Sequence, residues 1–212
     1  MRVYYFTKEK YGLDNINRGR IKVSDFSNLN DPFELLGIEL TDRNVRRAME
    51  FEKSQIAKNS GLICFSESRD DPVQWAHYAE NHRGMCLGFE VPKEKLKKVK
   101  YVSERLAAST VEELNRSDKL LITKFRHWSY EKEWRLIVDK TKKEIDHGLF
   151  FEMFSRSLEL KEIFLGYKSA LNFQSVASNI NSNSSDVIIK HTRPSFRDFR
   201  IVWDQSRKSE RA

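Results

Sequence analysis

The chain contains little of what marks a secreted, membrane-spanning or zinc-binding protein. Cysteine occurs only twice among 212 residues, at Cys64 and Cys86, and two cysteines without neighbouring histidine pairs do not make a zinc site. Both lie in apolar runs, so we expect buried free thiols in a reducing cytoplasm. No stretch approaches the roughly 20 apolar residues of a membrane span, and the apolar run in MRVYYFTKEK is too short for a secretory signal. The sequence therefore predicts a cytoplasmic protein without a membrane partner.

The short motifs of common nucleotide-binding and hydrolytic enzymes are also absent. The sequence has no Walker loop, no G-x-G-x-x-G and no H-E-x-x-H. His77 and His82 are five positions apart and fall on different faces of a predicted helix, which makes them poor partners for one metal ion. Ser66 and Ser68 have no His-Asp partner by spacing, so a hydrolase triad is not predicted.

The composition is that of a folded, basic protein. It is 39% hydrophobic and 33% charged, which is typical of a globular chain of this length. No linker or internal repeat divides it, so we predict a single domain over residues 1–204 and a polar tail at 205–212. The formal net charge is +7. This balance is compatible with a nucleic acid or another phosphate-rich ligand, although a mildly basic surface is common.

The most informative stretch covers residues 62–91. Residues 62–65 form a short apolar run that predicts a buried strand, and the polar Ser66 and Ser68 follow its end. Asp71 and Pro72 then form a helix start, as N-cap and first helical residue. Trp75 and Tyr78 lie on one face of this helix, which we expect to end at Gly84, and residues 85–91 predict a second strand. The aromatic helix over the polar strand end suggests a wall for a flat ligand, although aromatic residues at this spacing are also typical of a core.

A second informative stretch follows at residues 125–139. From Tyr130 the alternation is strand-like and puts Glu131, Glu133 and Arg135 on one face. Carboxylates two apart on a strand have their roots about 6–7 Å apart. Such a pair suits a sugar carbon that passes through an oxocarbenium-like state. The alternative is a set of exposed cross-strand ion pairs, each worth less than about 1 kcal/mol.

The segment NLNDPFE at residues 28–34 is a predicted loop. It contains Asn30, Asp31 and Glu34. In one interpretation these side chains cap their own backbone. In the other the segment is a substrate loop that leans over the site, with Asp31 or Glu34 pointing inward.

The rest of the chain predicts a mixture of helices and strands. We expect strands at residues 2–7, 20–24, 100–102, 162–166, 187–190 and 193–203, helices at 41–59, 110–122 and 171–180, a short helix ending near Gly19, and a polar loop at 181–186.

Six motifs together resemble a known family. They are NDPFE, ICFSES, the W-x-x-Y helix at Trp75 and Tyr78, HRGMCLGFEV, WSYEKEWR and EIFLG. Their order is similar to that in the bacterial "domain of unknown function" family 2971. The motifs run from Asn30 to Gly166, so the resemblance covers most of the chain. The family name carries no activity.

The order of elements is also similar to that of the ADP-ribosyltransferase superfamily. This resemblance implies an α+β fold, with a central, mostly antiparallel split sheet flanked by helices. Tyr5 falls where that superfamily has a His or Arg on the first strand, and a phenol lacks a cation for the diphosphate. Ser66 and Ser68 match the polar position at the end of the second strand, and Tyr78 or Trp75 matches the ring that stacks on nicotinamide. The resemblance implies that Glu133 binds the ribose 2′-hydroxyl and that Glu131 orients the acceptor. Arg20, Arg135 or a lysine would supply the missing cation.

The resemblance implies transfer of ADP-ribose from NAD to a nucleic acid or protein acceptor, without a metal. Small bacterial proteins of this kind are often toxins or anti-phage effectors, which adds an antitoxin as a partner by analogy. Two other classes stay open. One is a binding module that recognises a nucleotide or nucleic acid without turnover. The other is a nuclease that holds magnesium with Asp31, Glu34, Glu131 and Glu133.

Overall fold

The structure, a computed structural model, describes residues 1–107, 119–181, 186–207 and 210–211. Its strands are β1 (Arg2–Thr7), β2 (Arg20–Lys22), β3 (Ser60–Ser66), β4 (Met85–Glu90), β5 (Leu96–Lys98), β6 (Lys100–Val102), β7 (Thr123–Phe125), β8 (Glu133–Asp139), β9 (Glu144–Asp146), β10 (Leu149–Met153), β11 (Glu159–Leu165), β12 (Ile188–Pro194), β13 (Ile201–Trp203) and β14 (Glu210–Arg211). Its α-helices are α1 (Glu9–Arg18), α2 (Arg43–Asn59), α3 (Pro72–Tyr78), α4 (Lys119–Ile122) and α5 (Phe173–Ala177).

The central element is a large mixed sheet. Its strands follow the order β13-β12-β11-β4-β1-β3-β8-β5, with β14 beside β12. The β11–β12 pair is parallel, whereas β1 pairs antiparallel with β4 and β3 with β8. Smaller sheets form from β2-β10-β9 and β6-β7. The prediction of mixed α and β elements around a mostly antiparallel sheet is confirmed.

The sheet opens in its middle, between β1 and β3. On the side of β1 that faces β4, every residue from Arg2 to Thr7 pairs with a residue of β4. Towards β3, the pairing in the described chain is the single residue pair Tyr4 and Ser66. The β1–β3 pairing in the described chain does not extend beyond this pair, so the hydrogen-bonded ladder is interrupted at the centre of the sheet.

Apolar side chains hold the sheet and helices together. The largest buried cluster includes Val3, Leu87 and Ile163 from three adjacent strands. A second cluster places Met49 of α2 against Leu62 of β3. The three side chains of the first cluster come from strands that are far apart in the sequence, so this packing depends on the sheet order.

Several local predictions are confirmed. Helix α1 ends at Gly19, which adopts the left-handed conformation at φ 62°, a role that suits glycine. The Asp71 carboxylate accepts hydrogen bonds from the backbone N–H groups of Val73 and Gln74, and Pro72 begins α3. Cys64 and Cys86 are free thiols as predicted, but Cys86 is buried whereas Cys64 is only partly buried.

Among the described helices, none is long and apolar enough to cross a membrane.

Two of the predicted boundaries that differ from the structure lie near the candidate site residues. Helix α3 ends at Tyr78 instead of near Gly84, because Glu80, Asn81 and His82 all have positive φ and cannot continue a right-handed helix.

The second error concerns the stretch that begins at Tyr130. Residues Arg126–Glu131 form a 3-10 helix, Lys132 is left-handed at φ 46°, and β8 begins only at Glu133. Glu131 is therefore not on the strand that carries Glu133 and Arg135.

The end of the chain differs in detail from the prediction. Phe199 is 99% exposed, and β13 starts only at Ile201. Within the predicted tail, Glu210–Arg211 forms β14 beside β12. The predicted helix at 110–122 lies outside the described residues except for α4, and residues 182–185 of the predicted polar loop also lie outside them.

Trp75, which the sequence offered as a ligand-stacking ring, belongs to the core. It is fully buried, its Nε1 donates to the Arg69 carbonyl at 2.7 Å, and its ring meets that of Phe6 edge to face. We expect Trp75→Ala to lower the free energy of unfolding by about 3–5 kcal/mol, measured by urea denaturation. Tyr11→Ala removes a ring that is 57% exposed and should cost about 0.5 kcal/mol or less. Equal effects of the two changes would contradict the core assignment.

Candidate functional site

A cleft of about 270 Å³ occupies the opening between β1 and β3. This volume lies just below the roughly 300–1,000 Å³ of typical pockets for drug-sized ligands, so the cleft suits a ring joined to a sugar better than a whole dinucleotide. The described residues that line it are Tyr4, Tyr5, Phe6, Ser24, Asn28, Leu29, Asn30, Cys64, Phe65, Ser66, Gln74, Tyr78, Lys124, Glu131, Glu133 and Arg135.

Five ionisable side chains form a buried cluster on one side of this cleft. We call it the carboxylate cluster. Its members are Glu34, Lys124, Glu131, Glu133 and Arg135, and all are at least 93% buried. Glu133 and Arg135 lie two apart on β8, Lys124 comes from β7, Glu131 ends the 3-10 helix, and Glu34 comes from the 28–34 segment.

The guanidinium of Arg135 has an acceptor for each of its N–H groups. Nη1 and Nη2 donate to the two oxygens of Glu34 at 2.6 and 3.0 Å. Nε and Nη2 donate to the two oxygens of Glu133 at 2.8 and 3.2 Å, and Nη1 also donates to the Leu121 carbonyl at 2.7 Å. A guanidinium has five N–H donors, so Arg135 has none left for a bound diphosphate.

Lys124 joins the two glutamates that the sequence singled out. Its Nζ donates to Oε2 of Glu131 and, at 3.0 Å, to Oε2 of Glu133. Three carboxylates and two cations leave the cluster with a net charge of −1 when all are ionised. Burial of such charges is tolerated only when they are paired and hydrogen-bonded, as they are here.

The two glutamates have opposite pKa shifts. Burial acts to raise the pKa of Glu133, but Arg135 and Lys124 outweigh it and hold the pKa at about 2. For Glu131 burial prevails over the attraction of Lys124, and its pKa is raised. Burial likewise raises the pKa of Glu34, although Arg135 opposes it. Paired carboxylates with diverging pKa values are a common arrangement for separate acid–base roles.

Tyr78 connects Glu131 to the 28–34 segment. Its hydroxyl donates to Oε1 of Glu131 at 2.5 Å and accepts from Nδ2 of Asn30 at 2.7 Å. Burial, together with the charge of Glu131, raises the pKa of Tyr78, so the phenol stays protonated. The ring is thereby held at a fixed angle at the cleft.

Ser66 and Gln74 fix the backbone beneath Glu131. The hydroxyl of Ser66 donates to the Glu131 carbonyl at 2.8 Å. Nε2 of Gln74 donates to Oγ of Ser66 at 3.0 Å and to the Tyr130 carbonyl at 3.1 Å. Strand β3, helix α3 and the 3-10 helix are therefore joined at the point where the sheet opens.

Most of the sequence-predicted site residues meet in this cleft. Those that line it are Tyr5, Asn30, Ser66, Tyr78, Glu131, Glu133 and Arg135, and Glu34 lies directly behind Arg135. Ser68 is outside this set of described lining residues and accepts a hydrogen bond from the Asp70 backbone N–H. Asp31 also lies outside the set. Its Oδ1 accepts from the Phe33 backbone N–H, and its buried Oδ2 has no hydrogen-bond partner among the described residues.

The sequence-based prediction missed several residues that line or support the site, among them Lys124, Gln74 and Tyr101. Lys124 is the most important, and its signal is a lysine in the apolar run at residues 120–125. Gln74 is four residues before Tyr78, so it shares that helix face. Tyr101, whose hydroxyl accepts from the Glu133 backbone N–H at 2.8 Å, gives no local signal.

The magnesium site considered from the sequence gains no support from this geometry. The carboxylates of Glu34, Glu131 and Glu133 face Arg135 and Lys124. Among the described residues, His, Cys, Asp and Glu side chains do not group into a set that could hold a metal ion.

The fold and cleft define a mixed α and β protein with a buried, net-negative ionic cluster at an opening in its sheet. A model of the family described as "Protein of unknown function (DUF2971)" matches residues 74–136. This match supports the resemblance to that family over a span that contains three of the six motifs, whereas NDPFE, ICFSES and EIFLG lie outside it. The matched span begins at Gln74 and includes Tyr78, Lys124, Glu131 and Arg135. No curated protein and no solved structure matches the chain.

Lys124 is expected to be essential for the stability of the cluster. Lys124→Met should lower the free energy of unfolding by about 3–5 kcal/mol at pH 7, because it leaves two buried carboxylates without their shared cation. Lys98→Met removes the more exposed ion pair with Glu67 and serves as the control, with an expected loss below about 1 kcal/mol. Urea denaturation measures both. A small loss for Lys124→Met would contradict the assigned pairing.

The opposite pKa shifts predict opposite contributions to pH-dependent stability. Because the pKa of Glu133 is depressed to about 2 from 4.5, its stabilisation is present above about pH 5 and is lost as the pH falls from 4.5 towards 2. The difference in unfolding free energy between the wild type and Glu133→Gln should therefore shrink over that range.

Glu131→Gln is the matched comparison for this pH series. The raised pKa of Glu131 means that its ionisation opposes folding, so at pH 7 the change should cost less than Glu133→Gln. Denaturation curves between pH 7 and pH 3 test both statements, and a larger cost for Glu131→Gln would contradict the shifts.

Proposed function

We propose that the protein transfers ADP-ribose from NAD to a macromolecular acceptor, in the manner of the ADP-ribosyltransferase superfamily. The main support is Glu131, a buried carboxylate with a raised pKa that faces a cleft sized for a ring and a sugar. The order of elements that resembles the superfamily, with a sheet that opens between β1 and β3, supports the same assignment.

The reaction breaks the bond between the nicotinamide nitrogen and C1′ of the ribose. The bonding electron pair leaves with nicotinamide, and positive charge develops on the sugar. A net-negative cluster next to that carbon stabilises the developing charge. A nucleophile of the acceptor then forms a bond to C1′ and loses its proton. Glu131, with its raised pKa, is suited to take this proton.

The contacts favour Glu131 over Glu133 as the carboxylate that touches the ribose. Oε1 of Glu131 accepts from Tyr78 and Oε2 from Lys124, which leaves each oxygen one further acceptor site. Oε2 of Glu133 already accepts from both Lys124 and Arg135, and Oε1 accepts from Arg135, so Glu133 has one acceptor site left where Glu131 has two. We therefore assign Glu131 to the ribose as well as to the proton of the acceptor, and Glu133 to the positioning of the two cations. This assignment moves the ribose contact away from Glu133, where the resemblance implies it.

The aromatic residues of the cleft suit the nicotinamide ring. Tyr78 is held by Glu131 and Asn30 and offers a fixed ring for stacking. Burial raises the pKa of Tyr5 to about 12, so its hydroxyl is neutral and can bind a ribose hydroxyl or the carboxamide. Because Arg135 has no free donor, we place the nicotinamide and its ribose in the cleft and the diphosphate outside it. Roles as a toxin or anti-phage effector, with an antitoxin, enter this proposal by analogy only.

A second candidate is a binding module that holds a nucleoside without turnover. The observation that favours it is the complete pairing of Arg135 within the cluster, which leaves the cleft no free guanidinium for a diphosphate. Both candidates use the same cleft, and they differ in whether nicotinamide is released.

Nicotinamide release from NAD tests the proposal. We expect the wild type to release nicotinamide when RNA, DNA or cell lysate is present, and Glu131→Gln to reduce the rate at least about 100-fold. Tyr78→Phe keeps the ring but removes the bond to Glu131 and should have a smaller effect. Glu159→Gln changes a half-exposed carboxylate of β11 and should leave the rate unchanged.

The same experiment separates the two candidates. A thermal shift with NAD or a nucleoside, without release of nicotinamide, would favour the binding module. The absence of both release and a shift with NAD would overturn the transferase proposal.

A further inference from the structure

A continuous row of aromatic rings leads along the surface into the cleft. It consists of Trp128, Tyr130, His77 and Tyr78, and we call it the aromatic row. Successive ring centroids are 6.1, 5.9 and 5.9 Å apart. Nδ1 of His77 is 3.1 Å from the hydroxyl of Tyr130, which fixes the middle of the row.

The row joins the carboxylate cluster at both ends. At one end the ring of Trp128 lies 5.0 Å from Nζ of Lys124. At the other end Tyr78 donates to Glu131. The rings therefore flank the same carboxylate that the proposed reaction uses, although His77 and Tyr130, which meet in the row, are 53 positions apart in the sequence.

The aromatic row is accessible from solvent. His77 is exposed, and Trp128 and Tyr130 are only partly buried. The 3-10 helix that carries Trp128 and Tyr130 also presents the exposed Arg126, and Lys132 follows it on the surface. Rings and cations side by side are the arrangement that stacks bases and neutralises phosphates along a single strand.

We infer that the acceptor is a single-stranded nucleic acid that lies along the aromatic row with one nucleotide at Glu131. The rings would stack on base faces, which a duplex hides and a single strand exposes. The net charge of +7 favours such a polyanion. The inference rests on the proposed function for the transfer step, whereas binding to the row can be measured without NAD.

Fluorescence anisotropy with labelled single-stranded RNA and DNA oligonucleotides tests this inference. The wild type should bind a single strand more tightly than the duplex of the same sequence, with an affinity that falls as salt is raised. Trp128→Ala should weaken binding about tenfold. Trp128→Phe keeps a stacking ring and should restore most of the affinity, which separates stacking from a general loss of structure.

Tyr11→Ala is the matched control, because it removes an exposed ring from α1, remote in sequence from the row. It should bind like the wild type. Unchanged binding by Trp128→Ala, a preference for duplex, or no binding at low salt would overturn the inference.

The outcome for this surface is distinguishable from the outcome for the reaction. Nicotinamide release without oligonucleotide binding would leave the proposed function standing and overturn the nucleic-acid acceptor. If labelled NAD modifies proteins of a lysate and leaves oligonucleotides unmodified, the nucleic-acid acceptor would also be overturned. Oligonucleotide binding that depends on Trp128, without release of nicotinamide, would support the aromatic row as a nucleic-acid-binding surface and contradict the transferase proposal.

Discussion

Arg135 is a fully buried guanidinium at the centre of the molecule, and its pairing constrains the residues around it. A buried charge costs several kcal/mol unless its donors are satisfied. Glu34 and Glu133 satisfy most of them, and the Leu121 carbonyl takes the last. The 28–34 segment, β8 and the end of α4 are consequently held together by one side chain.

The remaining members of the cluster follow from this arrangement. Glu133 brings an ionised carboxylate into the interior, and Lys124 pairs with it and with Glu131. Glu131 then carries the excess negative charge nearest the cleft, with Tyr78 as a neutral donor. A structural ion pair and a chemically usable carboxylate are thus adjacent parts of one network.

The cleft and the aromatic row both lie next to Glu131 of this network. The cleft offers room for a ring and a sugar next to Glu131. The row lies beside the same carboxylate, with Tyr78 bonded to Glu131 at one end and Trp128 near Lys124 at the other. In the proposed reaction the small substrate occupies the opening of the sheet, and the polymer approaches along the rings. Arg135 takes part only by holding the carboxylates, because its donors are already used.

Much of the local structure could be predicted from the sequence. The Asp71-Pro72 helix start and the left-handed stop at Gly19 depend on neighbouring residues alone. The run from Glu131 to Arg135 was also recognisable, because charges that precede an apolar strand need partners. Most of the candidate site residues came from such local signals.

The tertiary structure decided which of these residues act together. Glu34 and Arg135 are 101 positions apart, so no local pattern indicates their pairing. Lys124 acquires its role only when β7, paired with β6, brings its Nζ to Glu131 and Glu133. Trp75 and Tyr78 share a helix, yet one packs in the core and the other lines the cleft, because the sheet covers only one of them. The sequence by itself determined the start of α3, the stop of α1 at Gly19 and the supply of charged residues, since a helix start or stop of this kind depends on short-range sterics and hydrogen bonding. Only the sheet order decided the cleft and its cluster, because long-range strand pairing sets which side chains meet.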